Sequence, residues 1–378
     1  MQRGLTTITR IRWFAAIAIS QACVDPIYFD ARAPRDIIVL EGSITSEPGP
    51  YVINLTRGLP LNSDSTVNFP VAGASIVLHS DRGESEKFVE VEAGKYSTAG
   101  SIQGALGVTY HITLMMPDGS TFQSEPETIR PSGEIQEIRF QYEPRTVQKS
   151  WGPQAADVFN IYVDANTAPS ESQPSFIRWR FTGMFVMETN PELHLRWLQG
   201  ANRYMDPWPC SGYEVEPFPF GGYGLVWKRD CTCCRCWITE HETIPRLSDN
   251  DLVQNGRFRN VKVAEVAVTR RTFYEKYRVT VDQMALSKNA FDYFRIIRTQ
   301  KDGATNLFQP PPGKLTGNIK PVNASYEIIG LFWAASYHRK SIYIPNSALP
   351  YVIARDIIPI PCDTDYANST ATQPSDWQ

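Results

Sequence analysis

The sequence predicts a mostly β protein: an N-terminal β-sandwich over residues 36–130, then a larger antiparallel β domain over 131–362 with one packed helix. Three observations lead there. Short alternating runs recur between turn residues from Asp36 onward. One segment alone, Ser287 to Gln300, spaces its apolar residues as a helix does. The chain has 378 residues, 42% of them hydrophobic, which suits two cores and fits neither collagen nor a disordered chain. Lys+Arg 37 against Asp+Glu 40, with no long basic run, argues against nucleic acid as a partner.

Residues 1–22 precede the fold. Arg3, Arg10 and Arg12 lead into the apolar stretch Trp13 to Ile19, and small residues lead on to Cys23, the layout of an export signal. That stretch is shorter than the roughly 20 residues a membrane span needs, and Asp25 and Asp30 follow closely. Ile19-Ser20-Gln21-Ala22-Cys23 resembles a lipobox, although Leu is usual where Ser20 stands. Acylation of Cys23 would hold the protein on a membrane through its N-terminal lipid, with residues 23–35 as a tether.

Within the sandwich, Ile37 to Ile44 and Tyr51 to Thr56 read as two strands around the turn Ser46 to Pro50. Ala74 to His79, Glu86 to Val91, Thr109 to Met115 and Thr121 to Ser124 continue the pattern, with Gly83, Gly94 and Pro117-Asp118-Gly119 between them. After Pro131 the strands resume at 135–142, 159–165, 176–181, 276–283, 317–322, 328–335 and 340–344. Ser287 caps the one helix, whose apolar residues are Ala290, Phe291, Phe294 and Ile297. The tail 363–378 is polar and reads as loosely packed.

Pro70 to Leu78 and Ala93-Gly94-Lys95-Tyr96 resemble prealbumin-like regulatory modules, so the first domain is expected to be a prealbumin/Ig-like sandwich. An ordered set of motifs resembles the family called domain of unknown function 4249. These are Val39 to Ile44, Pro48 to Tyr51, Cys231 to Glu240, Leu247 to Asn250, Tyr274 to Val279, Phe308 to Gly313 and Leu315-Thr316-Gly317-Asn318. The resemblance implies a lipoprotein of Bacteroidota on the outer membrane, often encoded near TonB-dependent receptors, and no established activity.

Seven cysteines are present. With Cys23 set aside for lipid, Cys210, Cys231, Cys233, Cys234, Cys236 and Cys362 form an even set, and an exported protein makes disulfides of them by default. The alternative is a soft-metal site from Cys231, Cys233, Cys234 and Cys236 with His241. The two Cys-x-x-Cys gaps overlap, however, whereas a zinc ribbon needs them on separate knuckles.

No nucleophile elbow, His-Glu-x-x-His, P-loop or dinucleotide fingerprint occurs, and no motif calls for a cofactor. His79 and His111 lie in strand-like runs, and His338 at a solvated strand edge. Glu214 and Glu216 are an acidic pair of the kind usually found exposed. The other signal is aromatic: Trp208, Tyr213, Phe218, Phe220, Tyr223, Trp227 and Trp237 fall in a Pro- and Gly-rich stretch that reads as a long loop stapled by cysteines. Those rings either pack into a loop minicore, the plainer reading, or face outward as a binding surface. The expectation is a non-catalytic, lipid-anchored binding or accessory protein, not an enzyme; a surface glycan-active enzyme and a soft-metal binder are the alternatives.

Overall fold

The computed structural model describes residues 37–58, 69–168, 176–197, 203–248, 253–254, 256–303, 315, 317–366 and 368–377. The leader, Cys23 and the tether, and the Phe308 to Gly313 motif, lie outside the described residues.

Nine strands come first: β1 (Ile38–Thr45), β2 (Val52–Arg57), β3 (Phe69–Pro70), β4 (Ser75–Ser80), β5 (Ser85–Glu92), β6 (Lys95–Ser97), β7 (Thr109–Met115), β8 (Thr121–Ser124) and β9 (Glu127–Thr128). Burial alternates along them: β1 buries Ile38, Leu40 and Ile44, and β7 buries Tyr110, Ile112 and Leu114. β5 turns a corner, its first half pairing with β4 and its second with β6. His79 and His111 face each other across β4 and β7 with rings stacked at 4.9 Å, as strand residues.

The middle of the chain supplies β10 (Glu134–Glu143), β11 (Thr146–Lys149), β12 (Gly152–Ala155), β13 (Val158–Asn166), β14 (Ile177–Glu188), β15 (Leu195–Trp197), β16 (Arg203–Met205), β17 (Tyr213–Pro217), β18 (Tyr223–Trp227), β19 (Arg235–His241), β20 (Arg246–Leu247), β21 (Val253–Gln254), β22 (Arg257–Ala267) and β23 (Lys276–Ala285). After them come α1 (Lys288–Gly303), β24 (Ile319–Asn323), β25 (Ile328–Ala335), β26 (Tyr337–Pro345) and β27 (Ser369–Thr370). Ser287 caps α1 through its hydroxyl, which accepts the Ala290 N–H at 3.1 Å. The helix buries Ala290, Phe291 and Phe294, the last edge-on to Trp333.

Two sheets, β10-β13-β22-β21 and β26-β23-β14-β19-β27, enclose a core that includes Phe159, Trp179, Phe185, Phe258 and Tyr277. Within it the Trp179 indole donates to Gln283 Oε1 at 2.9 Å, and Gln283 Nε2 donates to the Ser132 and Asn166 carbonyls.

The boundary expected at residue 130 is not the boundary of the sheets. The first sheet runs β24-β8-β7-β4-β5-β6-β2-β1-β25, so two strands from the far end of the chain complete it. β25 lies parallel to β1, from Ile38 opposite Ile328 to Thr45 opposite Ala335. A parallel neighbour requires a crossover, and here the connection runs through β2 to β24, with most of the second body and its helix on the way, before β25 returns beside β1.

The sheet is nearly closed into a barrel, and Asn318 spans the remaining seam. Its Nδ2 donates to the Phe332 carbonyl at 2.6 Å, and its Oδ1 accepts the Phe332 N–H at 3.0 Å. The close approach depends on glycine: a Cβ on Gly317 would sit 1.6 Å from the Gly330 carbonyl oxygen. Thus Gly317 and Asn318, the last two residues of the Leu315-Thr316-Gly317-Asn318 motif, close the first sheet.

The tail departs from expectation. Ser369 and Thr370 pair with β19, and Trp377 is buried against Met184, Val186 and Trp237. Asp376 adds an ion pair with Arg278 at 2.6 Å and accepts the Tyr343 hydroxyl at its carbonyl. His338 also differs, its Nδ1 accepting the Ile135 N–H at 3.2 Å between the two sheets.

Candidate functional site

Between β14 and β19 the chain makes a long excursion whose two ends are tied together. The Thr189 N–H donates to the Cys234 carbonyl at 2.8 Å, and its hydroxyl donates to the Cys233 carbonyl. Two hairpins stand on this base. β15 pairs with β16, and β17 pairs with β18; neither pair joins another sheet among the described residues. The sequence reading of an irregular loop is corrected here, because its prolines and glycines sit at turns and strand ends.

Disulfides hold the base. Cys210 is bonded to Cys233, Cys231 to Cys234 and Cys236 to Cys362, which uses all six candidates. The sulfurs required by the soft-metal alternative are therefore bonded to one another and offer no thiolate. His241, its fifth proposed ligand, lies exposed at the end of β19.

The β17–β18 hairpin is an amphipathic ribbon. Tyr213 is opposite Trp227, Val215 opposite Leu225 and Pro217 opposite Tyr223, so these six form one apolar face. Glu214, Glu216, Gly224 and Val226 form the other, where Lys228 ion-pairs with Glu216 and is pushed up by that bond. Glu214 and Glu216 thus lie on a ribbon surface, the exposed arrangement the sequence suggests for such pairs.

The rings point out. Tyr223 is 68% exposed, Trp227 59%, Phe218 50% and Phe220 fully exposed, while Tyr213 is half-buried. Trp208 is exposed beside the His194 ring, 5.5 Å away between centroids. A minicore is not what these residues make. On the neighbouring hairpin, Trp197 is also exposed and carries the Arg203 guanidinium 4.0 Å above its ring. Trp237 is the exception among the seven predicted rings: it lies in β19, buried with Met184, Val186 and Trp377, and belongs to the core.

A concavity of about 710 Å³ lies between the two sheets of the second body and is lined in part by Phe181, Glu240, Glu242, Arg246, Val266 and Tyr277. Sequence reasoning passed over it because its walls come from β14, β19, β22 and β23. Its carboxylates are engaged: Glu240 accepts the Tyr277 hydroxyl at 2.6 Å, and Glu242 accepts Arg178 at 2.6 Å and the Phe181 N–H at 3.1 Å. Burial pushes the Tyr277 phenol well above its usual range, and the Glu240 charge adds to the shift.

Fold and site together define a mostly β, disulfide-bonded protein that presents an aromatic ribbon from one of its sheets. The family model described as Domain of unknown function (DUF4249) matches residues 24–341, and the chain belongs to that family. No curated protein matches the chain.

Proposed function

We propose that the protein is an exported lipoprotein, anchored through Cys23 on the outer membrane, that acts without catalysis as a binding or accessory component of a TonB-dependent receptor or nutrient-uptake system. One observation carries the binding role: Tyr223 and Trp227, on the apolar face of the β17–β18 ribbon, are open to solvent although disulfides fix the ribbon's base. An isolated two-stranded hairpin is marginal in water, so covalent stapling holds the rings in place before a partner arrives. Aromatic side chains presented in this way are typical binding hot spots. The anchor rests on the lipobox-like Ile19 to Cys23 and the oxidising compartment that three disulfides favour. The receptor partnership and the Bacteroidota setting rest on the resemblance alone.

Affinity purification from native membranes, followed by mass spectrometry, tests this. Recovery of an outer-membrane receptor with the wild type, and its loss with Tyr223→Ala plus Trp227→Ala, is the expected result. The N-terminal peptide should carry acyl chains on Cys23 and lack residues 1–22. Equal recovery with the ribbon variant would overturn the assigned surface.

A further inference from the structure

The tip of the ribbon differs chemically from its face. From Pro217 to Tyr223 the chain carries no ionisable charge at neutral pH; Phe220 projects without any cover, and Phe218, half-exposed, folds back toward the Glu216 face. Phe218 lies across Gly224, where an added Cβ would meet the ring at 2.2 Å, so its presentation is fixed. The Phe218 N–H donates to the Gly222 carbonyl at 2.9 Å, and the Gly221 N–H donates to the Phe218 carbonyl at 3.0 Å. The tip therefore keeps much of its backbone hydrogen bonding to itself, which eases its transfer out of water.

We propose that the Phe218–Tyr223 tip inserts shallowly into the interface of a lipid bilayer, as a membrane contact separate from any acyl chain. The order of groups along the ribbon supports lipid as the occupant. Phenylalanine comes first, then on the apolar face Tyr223 and Trp227, whose rings have polar edges suited to headgroup level. The first acids back from the tip, Glu216 and Glu214, are on the opposite face, and Lys228 pairs with Glu216. The unpaired tip reaches roughly 5–10 Å past the last strand pair, comparable with the depth at which interfacial segments sit. From Phe218 to Gly222 no polar side chain is present to fix a register on a protein partner. The inference goes beyond the accessory role: it requires neither acylation nor a receptor.

The test uses the mature chain carrying Cys23→Ala and vesicles of phosphatidylethanolamine with phosphatidylglycerol. The parent should co-sediment with vesicles, and a Phe220→Trp reporter should be quenched by brominated acyl chains. Phe218→Ser plus Phe220→Ser should lower the partition coefficient about tenfold or more, by removing two buried rings. Val352→Ser, which removes a nearly fully exposed apolar side chain next to Tyr351 on the Tyr142–Asp157 side of the second body, should leave partition unchanged. Absent vesicle binding by the parent, equal binding by the double variant, or an unquenched reporter would each overturn the lipid contact. If the double variant lost a receptor from native membranes while still binding vesicles normally, the lipid contact would fall and the accessory role would stand.

Discussion

The side-chain amide of Asn318 makes both backbone hydrogen bonds of Phe332, acting as a one-residue strand across the seam between β24 and β25. Asn318 is itself buried, as is Phe332. Asn318→Ala would leave a buried N–H and a buried carbonyl without partners, at a cost of about 2–4 kcal/mol. Urea unfolding of the two proteins checks this, and a difference below about 0.5 kcal/mol would show that the seam is held by something else.

Glu127 gives the fold a pH dependence. Burial is the main reason its carboxyl is raised to about 7, and hydrogen bonds from Ser287 and Asn318 only partly offset it. The folded state thus holds a proton that the unfolded chain releases near 4.5, and the associated stability is lost as pH rises from about 4.5 through 7. Glu127→Gln mimics the protonated form. Its stability should match the wild type at pH 4 and exceed it by about 3 kcal/mol at pH 8. A difference that stays constant across this range would contradict the assignment.

Gly224→Ala tests whether the Phe218 ring is held by the missing side chain beneath it. The new methyl must displace the ring, so partner or vesicle recovery should fall while the main unfolding transition moves by less than about 1 kcal/mol, since among the described residues the ribbon joins no other sheet. Unchanged recovery would mean that the ring's position is immaterial.

The Cys236–Cys362 bridge spans 126 residues and joins β19 to the C-terminal segment, whereas Cys231–Cys234 spans only 3. Replacing Cys236 and Cys362 together by Ser should cost about 3–5 kcal/mol, and replacing Cys231 and Cys234 clearly less, because long loops lose more entropy on closure. Guanidinium unfolding of the two double variants gives the ranking. The reverse order would point to strain or packing at the short bridge.

Local pattern was legible and pairing was not. Thr109 to Met115 alternates cleanly and is a strand over those same residues, and Ser287 announces α1 by its capping chemistry. β22 was missed because irregular register near Asn260 and Lys262 breaks its alternation. The apolar face of β17–β18 obeys period two, but Pro217, Pro219 and the glycines at 221, 222 and 224 obscured it. Trp237 drew attention as an aromatic beside cysteines, yet burial depends on Trp377, 140 positions away in sequence. The return of β24 and β25 to the first sheet is a choice among distant partners that no local run of residues encodes.

The parallel pairing of β1 with β25 sets a timetable for biosynthesis. Ile38 leaves the ribosome about 290 residues before its neighbour Ile328, a delay of roughly 15–60 s at ordinary elongation rates. Throughout that interval the nascent N-terminal half has an unmated margin and a gap in its wall. A cell must shelter it, and a recombinant fragment ending near residue 130 would be left in the same unfinished condition permanently.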